Sequence, residues 1–415
     1  MAVILSLSVL ILAGMACQFL PQSAPIATGA LVRANDHAAT PAATEALADA
    51  NNKFAFELYS NLSGASGGGN IIFSPYSISA AFAMAYEGAR GRTAEEMASV
   101  FHFPADNQTR WSSFADLYNL LNIDNGGYSL HTANAVWPQK GYPILKDYLD
   151  TVANYYRGKV SAVDFAGATE QARRTINEWV AGQTNGKIKE LFPAGTLNPG
   201  TVLALTNAIY FKGDWSMKFD KSKTVQKDFH VSADKTVTGP MMSLDTKGQA
   251  SLRYADTGRI QILEFPFQGG DASMLILLPN AENTTGLEGS LSPETIQAWK
   301  NALRKEEMKV QLPRFNIKCS YNLIDTLSNM GMPSAFAGPD FSGINGAGGL
   351  FIGTAVHQAY INVNEEGAEA AGATGIGAWR GVPTAFIADH PFIFLIQDKA
   401  TGTILFMGKV LDPTK

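Results

Sequence analysis

The feature that most restricts how this chain can fold is a run of small residues placed between two strong strands. Ala359, Ile361 and Val363 alternate with Tyr360, Asn362 and Asn364, so Val356 to Asn364 reads as a half-buried strand. It ends at Glu365-Glu366-Gly367. Then follow Ala368-Glu369-Ala370-Ala371-Gly372-Ala373-Thr374-Gly375-Ile376-Gly377-Ala378-Trp379-Arg380-Gly381-Val382 and Pro383. Loops beyond roughly 12 to 15 residues without structure of their own are uncommon in compact domains and are usually functional or disordered. Alternate positions from Ala368 onward (Ala370, Gly372, Thr374, Ile376, Ala378) are small or apolar, and Glu369 falls on the opposite alternation. Such a pattern can bury one face as a strand, yet its glycines make it a poor strand alone. Taken alone it reads more readily as a mobile linker or a weak Ala-rich helix. Its flanking strands and its alanine content favour a strand held in reserve.

The rest of the composition sets the frame. Across 415 residues, 46% hydrophobic content is ample for a large core, so the chain needs no staples. A net charge of -5 with 17% charged residues provides no basic field, which excludes nucleic acid as a partner. The two cysteines, Cys17 and Cys319, form neither a disulfide framework nor a zinc site.

Met1 to Ala16 is an apolar run closing on Gly14-Met15-Ala16, which suits a secretory signal and is short for a membrane span. Cys17 directly after Ala16 opens a second reading, a lipoprotein acylated on that thiol. The missing Lys or Arg ahead of the run, and Gly14 where lipoprotein signals carry a larger aliphatic residue, count against both. Either reading puts the protein outside the cell or on its surface. Gln18 to Ala50, rich in Ala, Pro, Thr and Ser, is expected to be a flexible linker (residues 17–50), followed by one continuous domain over 51–415 that is monomeric.

Within that domain Phe54, Leu58 and Leu62 carry helical spacing, and Asn70 to Phe73 reads as a short buried strand. Ser74-Pro75 is an N-cap followed by proline at the first helical position. Thr93 with Glu96 has the form of a capping box. Ala133 to Val136 and Thr201 to Phe211 read as strands, and Glu170 to Val180 as a helix through Ala172, Ile176 and Trp179. Phe392 to Ile396 and Thr403 to Met407 form a buried hairpin across Asp398 to Gly402. The class is therefore mixed, α+β.

Short segments spread along the chain resemble the serpin family from Asn51 to Lys415. They include Asn70 with Phe73-Ser74-Pro75, Ser77-Ile78-Ser79, Asn134-Ala135-Val136-Trp137, Thr184-Asn185-Gly186-Lys187-Ile188 and Asn207-Ala208-Ile209-Tyr210-Phe211 with Trp215. Phe341-Ser342-Gly343-Ile344, Glu365-Glu366-Gly367 and Ala388-Asp389-His390-Pro391-Phe392 complete the series. Each is weak alone; their order and spacing together are specific.

The resemblance implies three β-sheets wrapped by about nine helices, with the long loop exposed as a reactive-centre loop. It implies a suicide-substrate inhibitor of serine endopeptidases: the protease cuts the loop, remains acylated, and is carried away as residues 368–378 enter the main sheet, a released-strain device known for this family. The inserting hinge is then Glu365, Glu366, Gly367, Ala368, Glu369, Ala370, Ala371, Gly372, Ala373 and Thr374. By the same resemblance Ser74, Ser77, Asn207 and His357 form a polar gate beneath the sheet (the shutter), and Trp215, Arg314 and Glu365 mark where the loop first enters (the breach). Counting from Glu365 puts the cut after Gly381, and counting back from Pro391 puts it after Arg380. Arg380-Gly381 is preferred because a guanidinium pairs with the carboxylate of a trypsin-like pocket, with Trp379 next. The partner is then a trypsin-like protease in covalent complex, with chymotrypsin-like and elastase-like enzymes as alternatives.

Two rivals remain on the sequence. Gly64-Ala65-Ser66-Gly67-Gly68 matches a nucleophile elbow letter for letter, but an elbow needs a strand before the serine and a helix after it. The order here is the reverse, so no catalytic residue is assigned and the chain is read as an inhibitor, not an enzyme. None of the six histidines has metal-ligand spacing and no cofactor fingerprint occurs, so neither metal nor cofactor is expected. The second rival is a serpin that does not inhibit, acting as a chaperone or small-ligand carrier. Its hinge would carry proline, charge or bulk at inward positions, and this one has none.

Overall fold

Two apolar runs near the C-terminus build the centre of the molecule. The computed structural model describes residues 33–65, 68–122, 128–248, 251–281, 283–367 and 383–415, and Arg33–Lys415 forms one compact unit. In it β15 (Phe392–Asp398) and β16 (Ile404–Val410) pair antiparallel, and all seven residues of each are buried. They lie inside a seven-stranded sheet whose order continues from β1 (Ile71–Phe73) through β16 and β15 to β9 (Ala272–Pro279), β8 (Ile260–Pro266), β7 (Leu252–Asp256) and β10 (Arg304–Glu306). Every pairing in it is antiparallel.

The four-stranded sheet runs β14 (Thr384–Ile387), β11 (Met308–Pro313), β6 (Lys235–Asp245), β5 (Val225–Ser232). A five-stranded sheet runs β12 (Phe315–Asn322), β13 (Thr354–Val363), β4 (Leu203–Gly213), β2 (Tyr128–Pro138), β3 (Lys159–Val160). Ten α-helices occur among the described residues: α1 (Pro41–Ala65), α2 (Pro75–Gly88), α3 (Gly91–Phe101), α4 (Asn107–Leu121), α5 (Lys146–Thr151), α6 (Phe165–Gln183), α7 (Thr285–Glu288), α8 (Pro293–Ala302), α9 (Leu323–Met330) and α10 (Ser342–Asn345). No helix among those residues is long and apolar enough to cross a membrane.

The expected linker ends earlier than Ala50. Thr40 caps the next turn by accepting from the Ala43 amide, Thr44 Oγ1 donates to Asp116 Oδ2 at 2.7 Å, and Leu47 and Ala48 are buried. Upstream, Ala34 exchanges hydrogen bonds of 2.8 and 3.0 Å with the Asn119 side chain. Alanine is a strong helix former and needs little room, so a tract without large apolar residues still packs where neighbours approach closely. Residues 1–32, with the expected signal and Cys17, lie outside the described residues.

The capping box is also corrected. Arg90 is the N-cap of α3, Thr93 Oγ1 accepts from the Asp340 amide, and Glu96 bonds Ser334 and Arg92. The side chains expected to cap the helix tie it to the segment around Ser334–Asp340 instead. Ser74 does cap α2, its Oγ accepting from the Ser77 amide at 3.2 Å, with Pro75 opening the helix. α1 runs to Ala65 and β1 follows, so a helix precedes Ser66 and a strand follows it; Ser66 itself lies outside the described residues.

Candidate functional site

The five-stranded sheet contains a seam unlike the rest of the molecule's interior. β13 runs parallel to β4, although each is antiparallel to its neighbour on the other side. One rung crosses the sheet at mid-height: Tyr321 on β12 faces His357 on β13, His357 faces Asn207 on β4, and Asn207 faces Asn134 on β2. The start of α2 brings Ser74 and Ser77 against it.

The hydrogen bonds of this rung fix its protonation. The Ser74 amide donates to His357 Nε2 at 3.0 Å, so that nitrogen is an acceptor and the proton sits on Nδ1, which donates to Asn207 Oδ1. Asn207 Nδ2 faces the Ser77 carbonyl, Ser77 Oγ at 2.7 Å and Asn134 Oδ1 at 2.8 Å. Burial pushes the His357 pKa down to about 3, outweighing the opposite pull of Asn207. A protonated ring would set a second donor against the Ser74 N–H, so the neutral tautomer is the one that closes the network.

The upper end of the seam is open by comparison. Register between the two strands holds from Thr354↔Ala204 to Tyr360↔Tyr210 and stops, although β13 continues to Val363 and β4 to Gly213. A reversal over Asn364–Gly367 caps the gap. Asn364 Oδ1 accepts from the Glu366 amide at 2.9 Å, and Gly367 has φ +100°, a conformation that favours glycine. A Cβ on Gly367 would also collide with the backbone of Gly213 and Trp215, so the Glu365-Glu366-Gly367 motif has a direct steric reason for its last residue.

The reversal is held from below. The Trp215 amide donates to Glu366 O and the Phe219 amide to Glu365 O, both at 2.9 Å, while Trp215 Nε1 donates to Asn364 O at 3.0 Å. The Trp215 ring is buried, stacked on Phe267 and edge-on to Phe265. Glu365 is 1% exposed; its carboxylate accepts from Arg314 and from Thr224 Oγ1 at 2.6 Å, and Lys221 pairs with Glu366. Burial pushes the Glu365 carboxyl up, but the bonds from Thr224 and Arg314 outweigh it and hold it below the ordinary range.

The structure thus brings together Ser74, Ser77, Asn207 and His357 in one group, and Trp215, Arg314 and Glu365 in another. Asn134, Thr224, Lys221 and Phe219 join them without having been singled out as site residues. Asn134 could have been found from the sequence, because an asparagine inside the apolar run Ala133 to Val136 needs a buried partner. Hinge residues Ala368, Glu369, Ala370, Ala371, Gly372, Ala373 and Thr374, together with Trp379, Arg380 and Gly381, lie outside the described residues. The chain re-enters at Pro383 and β14, paired parallel to β11 at the edge of the four-stranded sheet.

Comparison with known proteins agrees with this architecture. Residues 49–413 match the family described as serpin (serine protease inhibitor). An uncharacterised serpin-like protein of Thermococcus kodakarensis is 44% identical over 372 residues, covering 88% of this chain and 85% of that one. Human leukocyte elastase inhibitor is 39% identical over 381 residues, covering 89% of this chain and all of the relative. The structure of human thyroxine-binding globulin complexed with thyroxine superposes with a TM-score of 0.82 at 30% identity, over 90% of this chain and all of that one. This chain belongs to the serpin family, and the three sheets with their surrounding helices are the serpin fold. The family is one of serine protease inhibitors by its own description, not of enzymes.

Proposed function

We propose that this serpin is an inhibitor that traps a serine protease by inserting residues 368–378 between β13 and β4 after the loop is cut. The observation that carries the reading is the seam. A strand inserted after the reversal at Asn364–Gly367 would run antiparallel to β13, and because β4 is parallel to β13 it would also be antiparallel to β4. One parallel pairing is replaced by two antiparallel ones, which are somewhat more stable per residue. The register that ends at Tyr360↔Tyr210, below the reversal, supports opening from the top. In this reading the Trp215, Arg314 and Glu365 group holds the point of insertion, and the Ser74, Ser77, Asn207 and His357 group is the gate that must part.

The cut is proposed at Arg380-Gly381 by a trypsin-like enzyme, with Trp379 as the next position. Its test is incubation with trypsin-like, chymotrypsin-like and elastase-like proteases, denaturing electrophoresis, and N-terminal sequencing of the C-terminal peptide. That peptide has to be freed by denaturation, because β15 and β16 are buried inside the seven-stranded sheet. A detergent-resistant complex with the trypsin-like enzyme and a peptide beginning at Gly381 are expected. Clean cutting by every enzyme, without a complex, contradicts inhibition and leaves the carrier or chaperone reading, to which the likeness to thyroxine-binding globulin lends a concrete form. Export through Met1–Ala16 belongs to the same proposal, with acylation of Cys17 as its variant. The mass of the mature N-terminus separates the two, and retention of residues 1–16 contradicts both.

A further inference from the structure

α6 lies across the front of the five-stranded sheet, and the side chains beneath it are distributed unevenly. A separate small core joins Phe165, Ala172, Ile176 and Val180 of α6 to Ala135 and Trp137 of β2, Ala204 and Ala208 of β4, and Val356 of β13. On the two seam strands these are small: alanines from β4 and one valine from β13. The large anchor is on the other side. Trp137, fully buried, meets Trp179 of α6 edge to face at 5.4 Å, and its Nε1 donates to Thr206 Oγ1 of β4 at 3.0 Å. Lys159, on the short edge strand β3, places its ammonium 5.1 Å from the Trp137 ring centre and 5.3 Å from that of Trp179. Cations over aromatic faces at these distances are attracted by the ring quadrupole.

We infer that Lys159 is a positioning residue that clips α6 to the β3–β2–β4 half of the sheet through Trp137 and Trp179, and thereby sets how fast the β13–β4 seam admits a new strand. α6 then travels with that half when the seam opens, and Val356 is the one side chain of the small core that slides from beneath it. The inference rests on the insertion reading above for its consequence, but not for the clip itself.

Two measurements on the uncleaved protein separate these. In the first, hydrogen exchange of α6 is compared between wild type and K159M, which keeps the aliphatic stem and removes the charge, with K159R retaining a cation over the rings. Exchange across α6 should rise roughly three- to tenfold in K159M, the scale of one or two such contacts, while α2 is unchanged and K159R stays near wild type. In the second, the rate of uptake of a synthetic peptide with the sequence of residues 368–378 is followed by native electrophoresis. K159M should take it up faster by a similar factor. Unchanged α6 exchange in K159M, or faster α6 exchange with unchanged or slower uptake, overturns the inference. No uptake by any form, wild type included, strikes at the insertion reading instead, and α6 exchange still decides the clip.

Discussion

The seven-stranded and five-stranded sheets are built from similar lengths of chain and reach opposite states. In the first every pairing is antiparallel, β9, β15 and β16 are buried along their whole length, and Phe394, Leu395 and Leu277 meet apolar neighbours. In the second, a parallel seam crosses the middle, asparagines and a histidine occupy its heart, and the strands part above Tyr360. An apolar core is hard to rearrange because every intermediate exposes it. A rung of hydrogen bonds can be exchanged for another set at small net cost, since each bond contributes about 0.5–1.5 kcal/mol net. The first sheet is finished, and the second is arranged to accept one more strand.

The difference can be tested in order of expected size. Cutting the loop should stabilise the five-stranded sheet by a full ladder, on the order of 10 kcal/mol from about a dozen residues. Calorimetry should show the melting temperature rising by roughly 10 to 15 °C, and cut and intact protein melting within a few degrees of each other would remove the contrast between the sheets. Next, Ala368→Arg places a guanidinium on the alternation expected to face inward, where an unpaired charge costs several kcal/mol. Inhibition should give way to simple cleavage, measured as moles of inhibitor consumed per protease trapped. Glu369→Arg, on the outward alternation, should be much milder, and equal losses would reject the alternation.

A smaller effect comes from the rung. His357 titrates at about 3 in the folded protein against about 6.5 in an unfolded chain, so below pH 6.5 the unfolded state binds the extra proton. Its contribution to stability is complete above pH 6.5 and falls by up to about 1.4 kcal/mol per pH unit as pH drops toward 3. Denaturant melts of wild type and His357→Gln across that window should differ in slope by about one proton; parallel slopes would place the ring outside the buried rung. The smallest effect is at the top. Glu365→Gln should cost about 1 kcal/mol, because Arg314 is 45% exposed and solvent screens the pair. A loss larger than that of the histidine variant would make the top of the seam, not its middle, the tighter point.

Much of this was legible in the residues. Hydrophobic alternation located β13, and continuous apolar runs located β4 and the β15–β16 hairpin, because period and burial are properties of the strand itself. The Ser74-Pro75 cap was legible for the same reason. Thr93 and Glu96 were not, since the choice between capping a helix and bonding Ser334 and Asp340 is made by a segment far along the chain. The helical start at Pro41 was hidden because alanines signal burial only through their neighbours. The rung across the seam was the hardest: Asn134 and Asn207 are each readable as a strand asparagine, and only the register between β2, β4 and β13 makes them partners.

Hydrogen exchange along the seam, before and after the loop is cut, bears most directly on whether the five-stranded sheet takes in a strand. In uncut protein the register between β13 and β4 ends at Tyr360↔Tyr210, so the seam-facing amides above it, within Asn362–Val363 and at Gly213, should exchange more readily than those along Thr354–Tyr360. After cleavage they should become protected by orders of magnitude, together with the amides along Thr354–Tyr360, while those of β15 and β16 stay as they were. Unchanged exchange at Gly213 and Asn362–Val363 in fully cut protein would contradict the account.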